Sequence, residues 1–290
     1  MRGFFADMSV NPFLLTGLLA GALGGLSCGT LGPYVVSRRL VFLAGALAHV
    51  AVGGVGAAIF LATTYPDLFS WLSPLHGAGF AALAVAPVLA LLQHRGGESI
   101  DTAIGALWAG GMALGILLIK KTPGYHGELM GYLFGNLAYV SWSDVYLLLG
   151  LTIAVLLVLV IWHRRFLALC VDPEQARLQG ISPLATDIVL LFVVALTVTA
   201  LTRVVGLILV IALVSLPAST ALRFQSRLAP TLLLSGLLGV LLTTLPRIAA
   251  YGSDFSPEAA IVLTAVIAWL AAGLIARRRT RSLPKASSPE

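Results

Sequence analysis

The sequence predicts an all-α integral membrane protein, a polytopic bundle of about nine transmembrane helices. Of its 290 residues, 59% are hydrophobic and only 10% are charged, against about 25% charged in ordinary soluble domains. The mean hydropathy is +0.98. Most of the chain also divides into apolar stretches of about 20 residues, the length that crosses a bilayer as a helix. Length alone would allow two soluble domains. The succession of spans instead makes residues 1–276 one transmembrane domain, followed by a basic tail, 277–290, whose polar end SLPKASSPE is expected to be disordered.

The opening MRGFFADMSV carries an Arg but no long apolar run ending in a small-residue cleavage site. The first span, 12–36, is therefore expected to direct insertion itself. Within it Gly17, Gly21, Gly25 and Gly29 recur every four residues and form a stripe nearly free of side chains, suited to the close approach of another helix. The second span, 40–62, repeats the spacing with Gly45, His49, Gly53 and Ala57. His49 thus lies on a small-residue face, one turn from a glycine on either side, and is expected to point inward.

The third and fourth spans, 74–93 and 101–120, lead to an outer loop, GYHGELMGYLFGN, which offers His126 and Glu128. These two read as a weak metal-capture pair or, more simply, as solvated loop residues. The fifth span covers 144–162. The segment after it, LCVDPEQARLQGISP, contains the ingredients of a short capped helix: Asp172 as cap, Pro173 at its first position, Glu174 and Gln175 following, and Gly180 ending it before Pro183. Its two readings are an interfacial turn and a coupling helix that fits a groove of a soluble partner.

The sixth and seventh spans, 183–202 and 204–222, are interrupted only by Arg203. Together they are too long for one helix, although a total of eight spans is the alternative count. The eighth covers 229–250 and the ninth 256–276, with Asp254 and Glu258 at its mouth. These acids could attract cations, or could simply complement the dipole of the last helix. Cys28 and Cys170 are far apart in or beside apolar segments, a pattern of packing residues rather than of a disulfide or thiolate site.

Charge orients the bundle. With the N-terminus outside, the cytoplasmic face holds Arg38, Arg39, Arg95, Arg164, Arg165, Arg177, Arg223, Arg227, Arg277, Arg278, Arg279, Arg281 and Lys285, thirteen of the 18 basic residues. That is the asymmetry of the positive-inside rule. It accounts for the net charge of +6 without a nucleic-acid partner. The basic edges are expected to face lipid headgroups or a cytoplasmic protein.

An ionisable group inside a membrane is costly and usually faces a bundle interior or a water-filled path. For His49 two readings stand: a neutral imidazole making one interhelical hydrogen bond, or a transient metal ligand. One histidine is not a site, so the second reading needs donors from other helices or from a second copy of the chain. The sequence lacks HExxH, GxxxxGK[ST] and GxSxG, so no catalytic residues are assigned and the chain is not expected to be an enzyme.

Five stretches, in order, carry a resemblance: LGPYVVSRRL, ALAHVAVGGVG, ELMGYLFGNL, DPEQARLQGI and VGLILVIALVSLPASTALR. Together they resemble the membrane subunits of the zinc and manganese ABC importers over about residues 12–276. The resemblance implies the importer permease fold, a homodimer in the cell inner membrane with its C-terminus cytoplasmic, and alternating access driven by a separate cytoplasmic ATPase that uses the ATP. It also implies an extracytoplasmic metal-binding protein, no permanently bound cofactor, and a divalent transition metal as cargo, zinc first, with manganese or iron as alternatives. His49 falls on the family's intramembrane metal-ligand histidine, and Asp172, Glu174, Ala176 and Gly180 on its coupling segment. The chain departs from the family in having Gly45 where an aspartate is common, and Glu258 where a small residue is usual. The missing carboxylate makes tight binding of a hard ion less expected. A metal chelate or small organic solute as cargo, and a membrane scaffold without cargo, are the alternative functions.

Overall fold

The computed structural model describes residues 4–95, 100–123, 135, 137–253 and 255–281. Among the described residues twelve α-helices follow one another: α1 (Phe4–Met8), α2 (Pro12–Ser37), α3 (Val41–Thr64), α4 (Pro66–Phe69), α5 (Pro74–Arg95), α6 (Ile100–Lys121), α7 (Trp142–Val171), α8 (Pro173–Leu178), α9 (Pro183–Val205), α10 (Leu207–Leu222), α11 (Leu228–Ala249) and α12 (Pro257–Arg281). Eight of them, α2, α3, α5, α6, α7, α9, α11 and α12, are long and apolar enough to cross a membrane. The ninth predicted span is α10, an apolar helix of 16 residues, which reaches about 24 Å at the α-helical rise.

Local chemistry sets the helix starts. Asn11 accepts a hydrogen bond from the Phe13 amide at 3.0 Å, and Pro12 occupies the first position of α2. Ser141 and Asp144 form a reciprocal capping box at α7. Ser182 caps α9 ahead of Pro183. The predicted interruption at Arg203 is corrected: α9 runs on through Val205, and the break falls at Gly206, whose φ of 83° and ψ of 157° are open essentially to glycine alone. Arg203 stays helical and reaches Asp144 at 3.3 Å. At the far end α12 continues to Arg281, into the segment expected to be tail, while residues 282–290 lie outside the described residues.

The core is a set of close helix crossings. α3 packs between α5 and α6, α2 packs on α11, α10 and α7, and α9 lies against α5 and α7. α12 covers α10 and α11. Several crossings are glycine to backbone. A Cβ on Gly25 would collide with the Gly239 carbonyl, one on Gly29 would lie 2.9 Å from the Gly236 Cα, and one on Gly53 would lie 2.7 Å from the Gly111 carbonyl. Such approach replaces the side-chain burial that drives packing in water, since lipid is as apolar as leucine.

The two ends of the bundle differ in chemistry. At one end Arg38 grips Asp187 of α9 at two points, with Nε 3.2 Å from Oδ1 and Nη2 2.6 Å from Oδ2, and its Nη1 donates to the Leu169 carbonyl of α7. The ends of α5, α7, α10 and α11 bring further arginines to this face. At the opposite end Leu137 begins a short 3₁₀ turn whose amide donates to Glu258, and Thr16 donates to the Val140 carbonyl at 2.6 Å.

Candidate functional site

His49 lies on α3 eight residues from Val41, about 12 Å along the helix from its basic end. Its ring is half-buried, and its Nδ1 is buried without a hydrogen-bond partner among the described residues. The neighbour that covers it is Trp108 of α6. The two rings stack with centroids 4.5 Å apart and planes inclined by 34°. The same indole fills the space beside Gly45: a Cβ there would stand 2.8 Å from Cζ3 and 2.9 Å from Cη2 of Trp108. One tryptophan therefore occupies both the imidazole face and the position one turn before it.

Below this pair the α3–α6 crossing is made of glycine. Gly53 meets the Gly111 carbonyl, and a Cβ on Gly111 would lie 3.0 Å from the His49 carbonyl. Trp108 was not among the residues singled out from the sequence. The signal that could have found it is the Gly111/Gly115 pair in the same span, which repeats the four-residue small spacing of α3.

The remaining candidates do not gather around His49. Glu258 opens α12 at the opposite end of the bundle, where Oε1 accepts from the Leu137 amide at 3.0 Å and Oε2 from the Ser256 hydroxyl at 2.9 Å. Its charge acts on Arg247, which is only 4% exposed and whose guanidinium presses on Gly17. A Cβ on Gly21 would stand 3.7 Å from the Thr243 Cβ, an ordinary contact distance. Asp254, His126 and Glu128 lie outside the described residues. Among the described residues, no group of three or more His, Cys, Asp or Glu side chains is close enough to hold a metal ion. What α3 offers is a single imidazole nitrogen donor, which suits a passing ion rather than a resident one.

At the basic end, α8 is a separate short helix. The Asp172 carboxylate accepts from the Glu174 amide at 2.9 Å and the Gln175 amide at 3.2 Å, and Pro173 follows the cap. The helix is closed by Gln179 and then by Gly180, whose φ is 79°. Ala176 is buried and seats α8 on the bundle, whereas Leu178 is 89% exposed. Glu174 and Arg177 form a solvent-exposed pair at 3.6 Å.

The sequence that builds this architecture matches the ABC 3 transport family over residues 10–276. The chain belongs to that family. Relatives of this ABC 3 family chain include a protein of Chlamydia muridarum named "Probable metal transport system membrane protein", 34% identical over 96% of this chain and 94% of that one. Another is the manganese transport system membrane protein MntC of Halalkalibacterium halodurans, 28% identical over 90% of this chain and 87% of that one. Among solved structures, PsaBC from Streptococcus pneumoniae in complex with Fab superposes with a TM-score of 0.81 at 25% identity, covering 93% of this chain and 94% of the other. The ABC 3 permease fold is thus shared along nearly the whole chain.

Proposed function

We propose that this chain is the permease subunit of an ABC importer that moves a divalent transition metal ion across the inner membrane by alternating access. Family membership carries the class; the location of His49 on the α3–α6 face supports the cargo. An imidazole with a glycine rather than a carboxylate one turn before it favours zinc or a similar borderline ion over manganese, although the chain is also similar to proteins named as manganese permeases.

ATP hydrolysis belongs to a separate cytoplasmic ATPase, and the exposed α8 is the segment that engages it. An apolar Leu178 standing in solvent on a capped helix is a fitting knob for a partner's groove. The basic end faces the cytoplasm, which places the N-terminus outside and the C-terminus inside. Two copies of the chain form the permease, and an extracytoplasmic metal-binding protein delivers the ion at the end where Glu258 lies.

The test is reconstitution. Liposomes holding this chain with its ATPase and binding protein are supplied with a mixture of zinc, manganese and iron, and their contents are measured by elemental analysis. The reading requires ATP-dependent accumulation of at least one free ion. A carrier of chelates or organic solutes would accumulate none of them, and a scaffold would show no ATP-dependent cargo at all.

A further inference from the structure

The geometry points to Trp108 as a specificity-determining residue: its indole closes the Gly45 side of His49 and keeps any carboxylate out of the ion's reach from that side. The inference rests on the reading of His49 as a transient ligand.

Three observations converge on one side chain. The indole stacks on the imidazole at 4.5 Å between centroids. The three atoms nearest to a Cβ on Gly45 all belong to Trp108, at 2.8, 2.9 and 3.6 Å, so the indole is the obstacle to a side chain at that position. The Nδ1 of His49 is buried with no hydrogen-bond partner among the described residues, so ring stacking is the contact that positions this edge of the imidazole.

Positions 45 and 49 are one helical turn apart on the same face. A carboxylate at 45 would share an ion with the imidazole and add a hard, negatively charged oxygen, the donor that suits manganese. Trp108 supplies the opposite: a flat hydrocarbon face with no lone pair available to an ion. The Gly111 backbone on the same helix is pressed onto Val50 and His49, which holds α6 close to α3 at this level. To make room at Gly45 the indole would have to swing off the imidazole on which it stacks. The Gly45 side of His49 thereby offers an ion no oxygen donor from a side chain, only the imidazole nitrogen.

The experiment is a mutant cycle in the complete importer, with Gly45→Asp, Trp108→Ala and the double variant reconstituted in liposomes. The readout is the ratio of manganese to zinc taken up from an equimolar mixture. The double variant should raise that ratio at least tenfold over wild type, and Gly45→Asp alone should not, because the carboxylate has no room. A ratio that rises as far in Gly45→Asp as in the double variant, or that stays at the wild-type value in the double variant, overturns the assignment. Gly45→Ala provides a readout independent of transport: it should lower the melting temperature of the purified chain in the wild-type background and leave it unchanged beside Trp108→Ala. Equal losses in both backgrounds would count against the steric role of Trp108. A His49→Ala variant run in parallel keeps the two readings apart. Loss of uptake there with an unchanged ratio across the cycle rejects the role of Trp108 alone, whereas normal uptake there rejects the ligand reading on which it rests.

Discussion

Arg38 and Asp187 form a two-point ion pair that fastens the end of α2 to the first turns of α9, with the carboxylate 2% exposed. The carbonyl of Leu169 takes a third proton of the guanidinium, so α7 is held by the same side chain. Removing one partner of a buried pair strands the other, at a cost of about 3–5 kcal/mol. Asp187→Ala and Arg38→Ala are each expected to lower the thermal midpoint of the detergent-purified protein markedly. Arg38→Lys, which cannot reproduce the fork, should fall between them and wild type.

The α2–α11 crossing gives a steric prediction with an internal control. Gly25→Ala drives a methyl into the Gly239 backbone and is expected to cost about 1–3 kcal/mol. Gly110→Ala, on the open side of α6 where a Cβ meets nothing within 4 Å, should leave the melting curve unchanged. Thermal unfolding followed by tryptophan fluorescence measures both.

At the α9–α10 joint, Gly206→Ala places a Cβ in a backbone region that excludes it and should destabilise by about 1–3 kcal/mol. Arg203→Ala removes only a half-exposed pair with Asp144, worth about 0–1 kcal/mol. The order of the two effects in a denaturation assay tests where the helix truly breaks.

That joint also shows what the sequence could and could not reveal. Hydropathy located nine apolar segments because each must satisfy its own backbone hydrogen bonds in lipid. Charge then drew the boundary to Arg203, but a helix ends where the backbone turns, and the snorkelling arginine is free to remain helical. The four-residue glycine spacing in α2 announced a close approach without naming the partner, since Gly236 and Gly239 lie about 210 residues away and only the fold joins them. The α8 cap was legible residue by residue because Asp172, Pro173 and Gly180 act within one short stretch. Trp108 was not, because an aromatic in an apolar span reads as one more hydrophobic residue until the helix opposite supplies a histidine and a glycine for it to cover.

The cap of α8 separates a structural role from a chemical one. Asp172→Ala loses the acceptor for the Glu174 and Gln175 amides, costing about 1 kcal/mol of helix stability. Asp172→Asn keeps an oxygen in place. Co-purification of the ATPase with the permease should weaken in the first variant and persist in the second, and Leu178→Glu should abolish it with the fold intact.

If a metal ion passes His49, removing the imidazole must slow transport without uncoupling the ATPase. The most direct measurement is ATP-dependent uptake of radioactive zinc into liposomes containing the complete importer, comparing wild type with His49→Ala under conditions where both hydrolyse ATP and bind the ATPase equally. Zinc uptake should fall at least tenfold in His49→Ala with hydrolysis retained. Uptake of zinc, manganese and iron at wild-type rates by His49→Ala would contradict it.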